Sequence, residues 1–184
     1  MTRLLFAVSV APFVFAQERQ VTINPAATEV HWILSGNVHT VHGTFKLKRG
    51  EVRFDPATGA ASGELVVDAL SGESGNSDRD SRMHKAIIES QKFSDIVFLP
   101  DRVVGAVNLA GDSTVQLHGR FHIHGVEKEA SLPLQTHIEG KQIKATLHFP
   151  IPYVQWQMKN PSNFLLRVSP VVDIDIQAGG TITP

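Results

Sequence analysis

The chain has 184 residues, with seventeen lysines and arginines against eighteen aspartates and glutamates, a net charge of −1, and no cysteine. That length fits one globular domain with a sizeable core, and the balanced charge lacks the basic face that a nucleic-acid partner requires. No stretch holds the roughly 20 apolar residues of a membrane-spanning helix, and with no disulfides available the fold must rest on packing and strand pairing.

Residues 1–16, MTRLLFAVSVAPFVFA, differ from everything after them. Arg3 is the lone positive charge, residues 4–15 are apolar or small, and Val14 and Ala16 stand at the −3 and −1 positions of a cleavage site. This is the pattern of a secretory signal peptide, a buried N-terminal strand or helix being the other reading. The expectation is an exported protein, periplasmic or extracellular, with a single domain over residues 17–184. Sixteen basic against eighteen acidic side chains would then remain, a net charge of −2.

From Glu29 onward the chain alternates. Val30, Trp32 and Leu34 share one parity against Glu29 and His31. Phe45 and Leu47 share a parity while Val52 and Phe54 share the opposite one, so a turn or bulge is expected at Arg49-Gly50. DPATG at 55–59 supplies the residues of a tight connection, leading into AASGELVVDA with Leu65 and Val67 on one face. Alternation then stops. Ser77 with Asp80 suggests a capping box, and no proline or glycine interrupts residues 78–90. Met83, Ala86, Ile87 and Ser90 fall at helical spacing, a narrow apolar stripe on a charged segment. KFSDIVFLP returns to strand.

The second half alternates more strongly. Val115, Leu117, Phe121 and Ile123 oppose Gln116, His118, Arg120, His122 and His124; Ile143, Ala145, Leu147 and Phe149 oppose Gln142, Lys144, Thr146 and His148. Leu132, Leu134 and Ile138 share a face, as do Val172, Ile174 and Ile176. A period of two over such lengths means strands with one dry and one wet side. LAGD at 109–112 and IEGK at 138–141 read as hairpin turns. Nine or ten strand candidates joined by short turns predict an all-β fold with one short helix, an antiparallel barrel of about eight strands. Closure removes the exposed edges, and the helix covers part of the barrel, stripe inward and charges toward water.

Several stretches taken together resemble the YceI-like family of exported proteins: EVHW (29–32), TVHGTFK (40–46), GEVRFDPATG (50–59), RDSRMHKAIIESQKFSDIVFLP (79–100) and LHGRFHIHGVEKEASLPL (117–134). The resemblance runs over about residues 21–178 and departs at PYVQWQMKNPSNFLLRV (152–168). It implies a lipocalin-like barrel that binds a long apolar molecule, such as a polyisoprenoid or an amide-bearing lipid, with no established reaction and no cofactor.

The dry-face residues Trp32, Leu34, Phe45, Leu65, Val67, Phe121, Ile123, Leu147 and Phe149 are the candidate lining of a ligand tunnel, or else the filling of a solid barrel. On the helix, Arg79, Arg82 and His84 are candidates for a ligand's polar or phosphate headgroup, against the plainer reading of a solvated, charge-paired face. His122 and His124, two apart on a strand with His118 on the same face, are weak candidates for a metal site lacking an identifiable third ligand. A metal-dependent enzyme on that face is therefore one alternative, and a solid-barrel stress or assembly protein another. No nucleophile elbow, phosphate-cradling glycine loop or metalloprotease helix is present. Trp156, in a segment rich in turn formers, either gates an entrance or plugs a seam. The sequence allows a homodimer.

Overall fold

The alternation from Val115 to Ile123 becomes one stave of a closed wall. In the computed structural model, which describes residues 18–184, eight strands run in chain order around a barrel: β1 (Arg19–Leu34), β2 (Val41–Phe54), β3 (Ala61–Glu73), β4 (Asp95–Val104), β5 (Gly111–Ile123), β6 (Val126–Glu139), β7 (Gln142–Ile151) and β8 (Val172–Thr183). Each pairs antiparallel with its sequence neighbours, and β1 closes onto β8, with Val30 opposite Ile176 and Trp32 opposite Ile174. The expected signal segment lies outside the described residues.

The expected irregularity near Arg49-Gly50 is a bulge within a continuous strand. Leu47 faces Val67 and Arg49 faces Val66, so Lys48 is the extra residue. The inserted residue switches parity, which is how Leu47 and then Val52 and Phe54 all turn inward. The β5–β6 hairpin holds unbroken register from Gly111 opposite Ile138 to Ile123 opposite Val126. Its two turn residues, His124 and Gly125, both have positive φ (51° and 76°), the requirement of a turn whose twist matches the strands.

An up-and-down barrel sends alternate connections to opposite ends. The β2–β3, β4–β5 and β6–β7 links are short turns at one end; in the first, Asp55 accepts from Ala57 N and the Thr58 hydroxyl (2.8 and 2.9 Å). The long segments 74–94 and 152–171 and the loop 35–40 all gather at the other end, the mouth.

Segment 74–94 carries the helix, and it differs from the expected one in two ways. The cap is Asn76, whose side chain accepts from Arg79 N at 2.9 Å, so Ser77 is the first helical residue. The α-helix α1 (Ser77–Arg82) then widens into a π-helical turn over Met83–Ile87, closed by Ile88 N to Met83 O at 2.9 Å. The wider turn shifts the helical phase by one residue, bringing Ile88 inward beside Met83 and Ile87.

Candidate functional site

The barrel is hollow. Its inward side chains enclose a larger chamber of about 570 Å³ at the mouth end and a smaller one of about 150 Å³ toward the tight turns. Ligand sites commonly run to about 300–1,000 Å³. Val30, Val67, Ile96, Phe121, Phe149 and Ile176 border both and form the waist between them. Phe121 is the centre of that waist. Its ring lies 4.7 Å from Phe98, 5.6 Å from Trp156 and 6.0 Å from Phe149, centroid to centroid.

Each of the nine lining candidates borders a chamber. Trp32, Leu34, Phe45 and Ile123 wall the larger, Leu65 and Leu147 the smaller, and Val67, Phe121 and Phe149 both. Strand periodicity does not single out the part of the wall built by the mouth segments: Tyr153, Met158, Pro161, Leu166 and Val168 from the β7–β8 connection, with Ile87 and Ile88 beneath the helix. A periodic signal exists only along strands, so irregular chain that folds back over a barrel leaves no such trace. Trp156 is buried against Phe121 and plugs a seam.

Polar atoms in the larger chamber collect at the mouth, where His39, Asp78, Arg79 and Arg82 border it. Some of the helix charges therefore face the chamber, not only water. Arg79 is held in place: Nε donates to the Ser74 hydroxyl oxygen at 2.7 Å and Nη2 to the Ser74 carbonyl at 3.0 Å, while that hydroxyl donates to Asp80. Arg82 is exposed and has no ion-pair partner among the described residues. His84 stands apart from the chamber. Its Nε2 donates to the Gly72 carbonyl at 2.8 Å and its Nδ1 meets the hydroxyl of fully buried Ser90 at 2.9 Å, so it pins the helical segment to β3. Tyr153 closes the wall, its phenol pushed up to about 12 by burial.

The three histidines of the weak metal candidate go to three separate carboxylates: His118 to Asp101 at 2.6 Å, His122 to Glu127 at 3.3 Å and His124 to Glu89 at 2.7 Å. No group of three or more metal-binding side chains occurs among the described residues. His124 also departs from its expected place in solvent. It sits in the β5–β6 turn with its side chain 12% exposed and its ring 4.9 Å from Phe93.

The model of the YceI-like domain matches residues 21–179. The chain belongs to the YceI-like family. Solved structures share its barrel: BcnA of Burkholderia cenocepacia at 16% identity, with a TM-score of 0.71 over 88% of this chain and 99% of that one; and a polyisoprenoid binding domain from Saccharophagus degradans, implicated in plant cell wall breakdown, at 17% identity with a TM-score of 0.67 over 89% and 98%. A Campylobacter jejuni YceI protein matches at 14% identity with a TM-score of 0.57 over 98% of this chain and 92% of that one. No curated protein matches.

Proposed function

We propose that the chain binds a long apolar molecule, an isoprenoid or another long-chain lipid, inside the barrel with its polar end at the mouth. The observation that carries this reading is the larger chamber of about 570 Å³, lined mainly by apolar side chains and bordered by charged ones only at Asp78, Arg79 and Arg82, with His39. Each buried methylene contributes ~0.8 kcal/mol, so a five-carbon isoprene unit contributes roughly 3–4 kcal/mol gross. A few units outweigh the estimated 4–15 kcal/mol lost on association. A dry tunnel alone therefore suffices for tight binding.

Kinship with a domain described as polyisoprenoid-binding favours an isoprenoid over a straight acyl chain. Arg79, fixed by Ser74, and Arg82, free to move, suit an anionic or hydrogen-bond-accepting head, since guanidinium matches phosphate and carboxylate geometry. The apolar first sixteen residues support export, with the protein working in the periplasm or outside the cell.

The test is native mass spectrometry of gently extracted protein, followed by titration of the emptied barrel with isoprenoid alcohols of increasing length while the emission of Trp32 and Trp156 is followed. Co-purifying lipid, and affinity that tightens with each added unit until the chambers are full, are expected. An empty barrel whose emission ignores every alcohol would overturn the reading.

A further inference from the structure

The three most exposed large hydrophobic side chains on the described surface, Phe164 (91%), Leu165 (79%) and Val38 (69%), all lie on mouth segments. Backbone and side-chain bonds weld those segments into one tip. Asn37 N donates to the Arg167 carbonyl and Arg167 N to Asn37 Oδ1, both at 2.9 Å; Asn37 Nδ2 donates to the Leu165 carbonyl at 3.3 Å, and Ser169 N to the Ser35 carbonyl at 2.8 Å. Leu166 and Val168, next along the chain, border the larger chamber. The tip thus has an outer greasy edge continuous with the inner greasy wall.

Its charge is the opposite of the chain's. No acid occurs in residues 152–172 or 35–44, whereas Lys159 and Arg167 are exposed there with no ion-pair partner among the described residues. The acids of the neighbouring segment 74–94, Asp78, Asp80 and Glu89, are outnumbered by Arg79, Arg82, Lys85 and Lys92, and Glu89 is paired with His124; Glu73 and Asp173 stand at the mouth ends of β3 and β8, outside the tip. Three apolar side chains fall well short of the roughly 800 Å² per partner of a stable protein interface. With a basic collar they match what shallow attachment to an anionic bilayer needs.

We propose that this tip docks the open end of the barrel on an anionic lipid surface, Phe164 and Leu165 entering the acyl boundary while Lys159 and Arg167 meet the headgroups. An apolar ligand then passes between bilayer and chamber without crossing water. The purpose of the contact rests on the cavity reading, but the contact itself is measured without any cavity ligand, so the two fail separately.

Vesicles of phosphatidylcholine with and without phosphatidylglycerol serve as probes, floated with the full chain. Every variant is compared in the same background, so attachment by residues 1–16 is common to all. A Phe164→Trp variant, read as the difference from the parent's Trp32 and Trp156 emission, is expected to shift to the blue only with anionic vesicles. Phe164→Ser with Leu165→Ser should lower partitioning about tenfold to a hundredfold at an unchanged melting temperature, since both side chains are in water before docking. Lys159→Gln with Arg167→Gln should weaken attachment to anionic vesicles and leave neutral ones unaffected. A Phe164→Trp variant whose emission is blind to vesicles, or a double-serine variant that floats like its parent, overturns the proposal. So does a double-serine variant that only turns a dimer into a monomer, because the tip is then a contact between two copies of the chain.

Discussion

The phenol of Tyr153 donates a 2.8 Å hydrogen bond to the carbonyl oxygen of Ser169, tying the two ends of the β7–β8 connection together while the ring closes the wall of the larger chamber. Burial there disfavours the phenolate and pushes the group up to about 12. In an unfolded chain the value returns to about 10. Below about 10 both states hold the proton and the group adds no pH dependence; above that the unfolded chain ionises first. Native stability should therefore fall as pH rises from about 10 to about 12. Tyr153 is the chain's one tyrosine, so phenolate absorbance reports it alone. A native midpoint near 12 that drops by about two units in denaturant is expected. Coincident native and denatured curves would mean that water reaches the phenol and the chamber wall is open there.

Gly43 and Trp32 face each other across β1 and β2. A methyl group at Gly43 would overlap both the indole ring of Trp32 and the carbonyl oxygen of Glu73. The ring therefore occupies the space a side chain at Gly43 would fill, and it lines the larger chamber. Gly43→Ala should displace it, at about the 1–3 kcal/mol typical of overpacking. Emission read in a Trp156→Phe background, where Trp32 is the sole tryptophan, should change with it, and the larger chamber should lose affinity for long apolar chains. Unchanged emission in a stable variant would count against the packing described.

How much of this was legible in the sequence depends on what each residue is repeated with. The inward set Val115, Leu117, Phe121 and Ile123 is plain because a strand repeats its environment every second residue. The shift at the β2 bulge is also visible, as a change of parity between Leu47 and Val52. The helix is legible and its interior is not: a π-turn is a change of hydrogen-bond register, and the helical stripe of Met83, Ala86, Ile87 and Ser90 leaves out Ile88, which the wider turn brings inward. Strand parity puts His124 in solvent only by running one residue too far, into a turn whose positive φ swings the ring onto Phe93. Whether the barrel is hollow is not readable at all, since volume is a sum over eight strands and the segments that cap them.

Phe121 separates the two chambers, and its neighbour His122 points the other way. Phe121→Asp puts an unpaired charge among Phe98, Phe149 and Trp156 and should abolish folding or ligand uptake. Phe121→Ala should cost about 3–5 kcal/mol and join the two chambers, admitting a longer chain where the protein still folds. His122→Ala, on the outer face, should stay within about 0.5 kcal/mol. Urea midpoints for the three variants check the order, and a His122 variant costlier than Phe121→Ala would mean that the faces are reversed.

Arg82 and His84 lie two residues apart on the helical segment, and the structure gives them separate tasks. The Gly72 carbonyl can only accept, so the proton of neutral His84 sits on Nε2 and its Nδ1 takes the Ser90 hydroxyl proton. His84→Ala strands two buried polar groups, costs about 2–3 kcal/mol, and frees the segment over the chamber. Amide exchange across residues 83–94 should accelerate, and ligand release should quicken whatever the headgroup. Arg82→Gln breaks no bond among the described residues, so melting temperature should hold while affinity drops only for ligands with an anionic head, by roughly the tenfold that one exposed charge-assisted contact provides. Isoprenoid phosphates compared with the matching alcohols separate the two effects. Equal losses for phosphate and alcohol in Arg82→Gln would show that the guanidinium serves the wall and not the head.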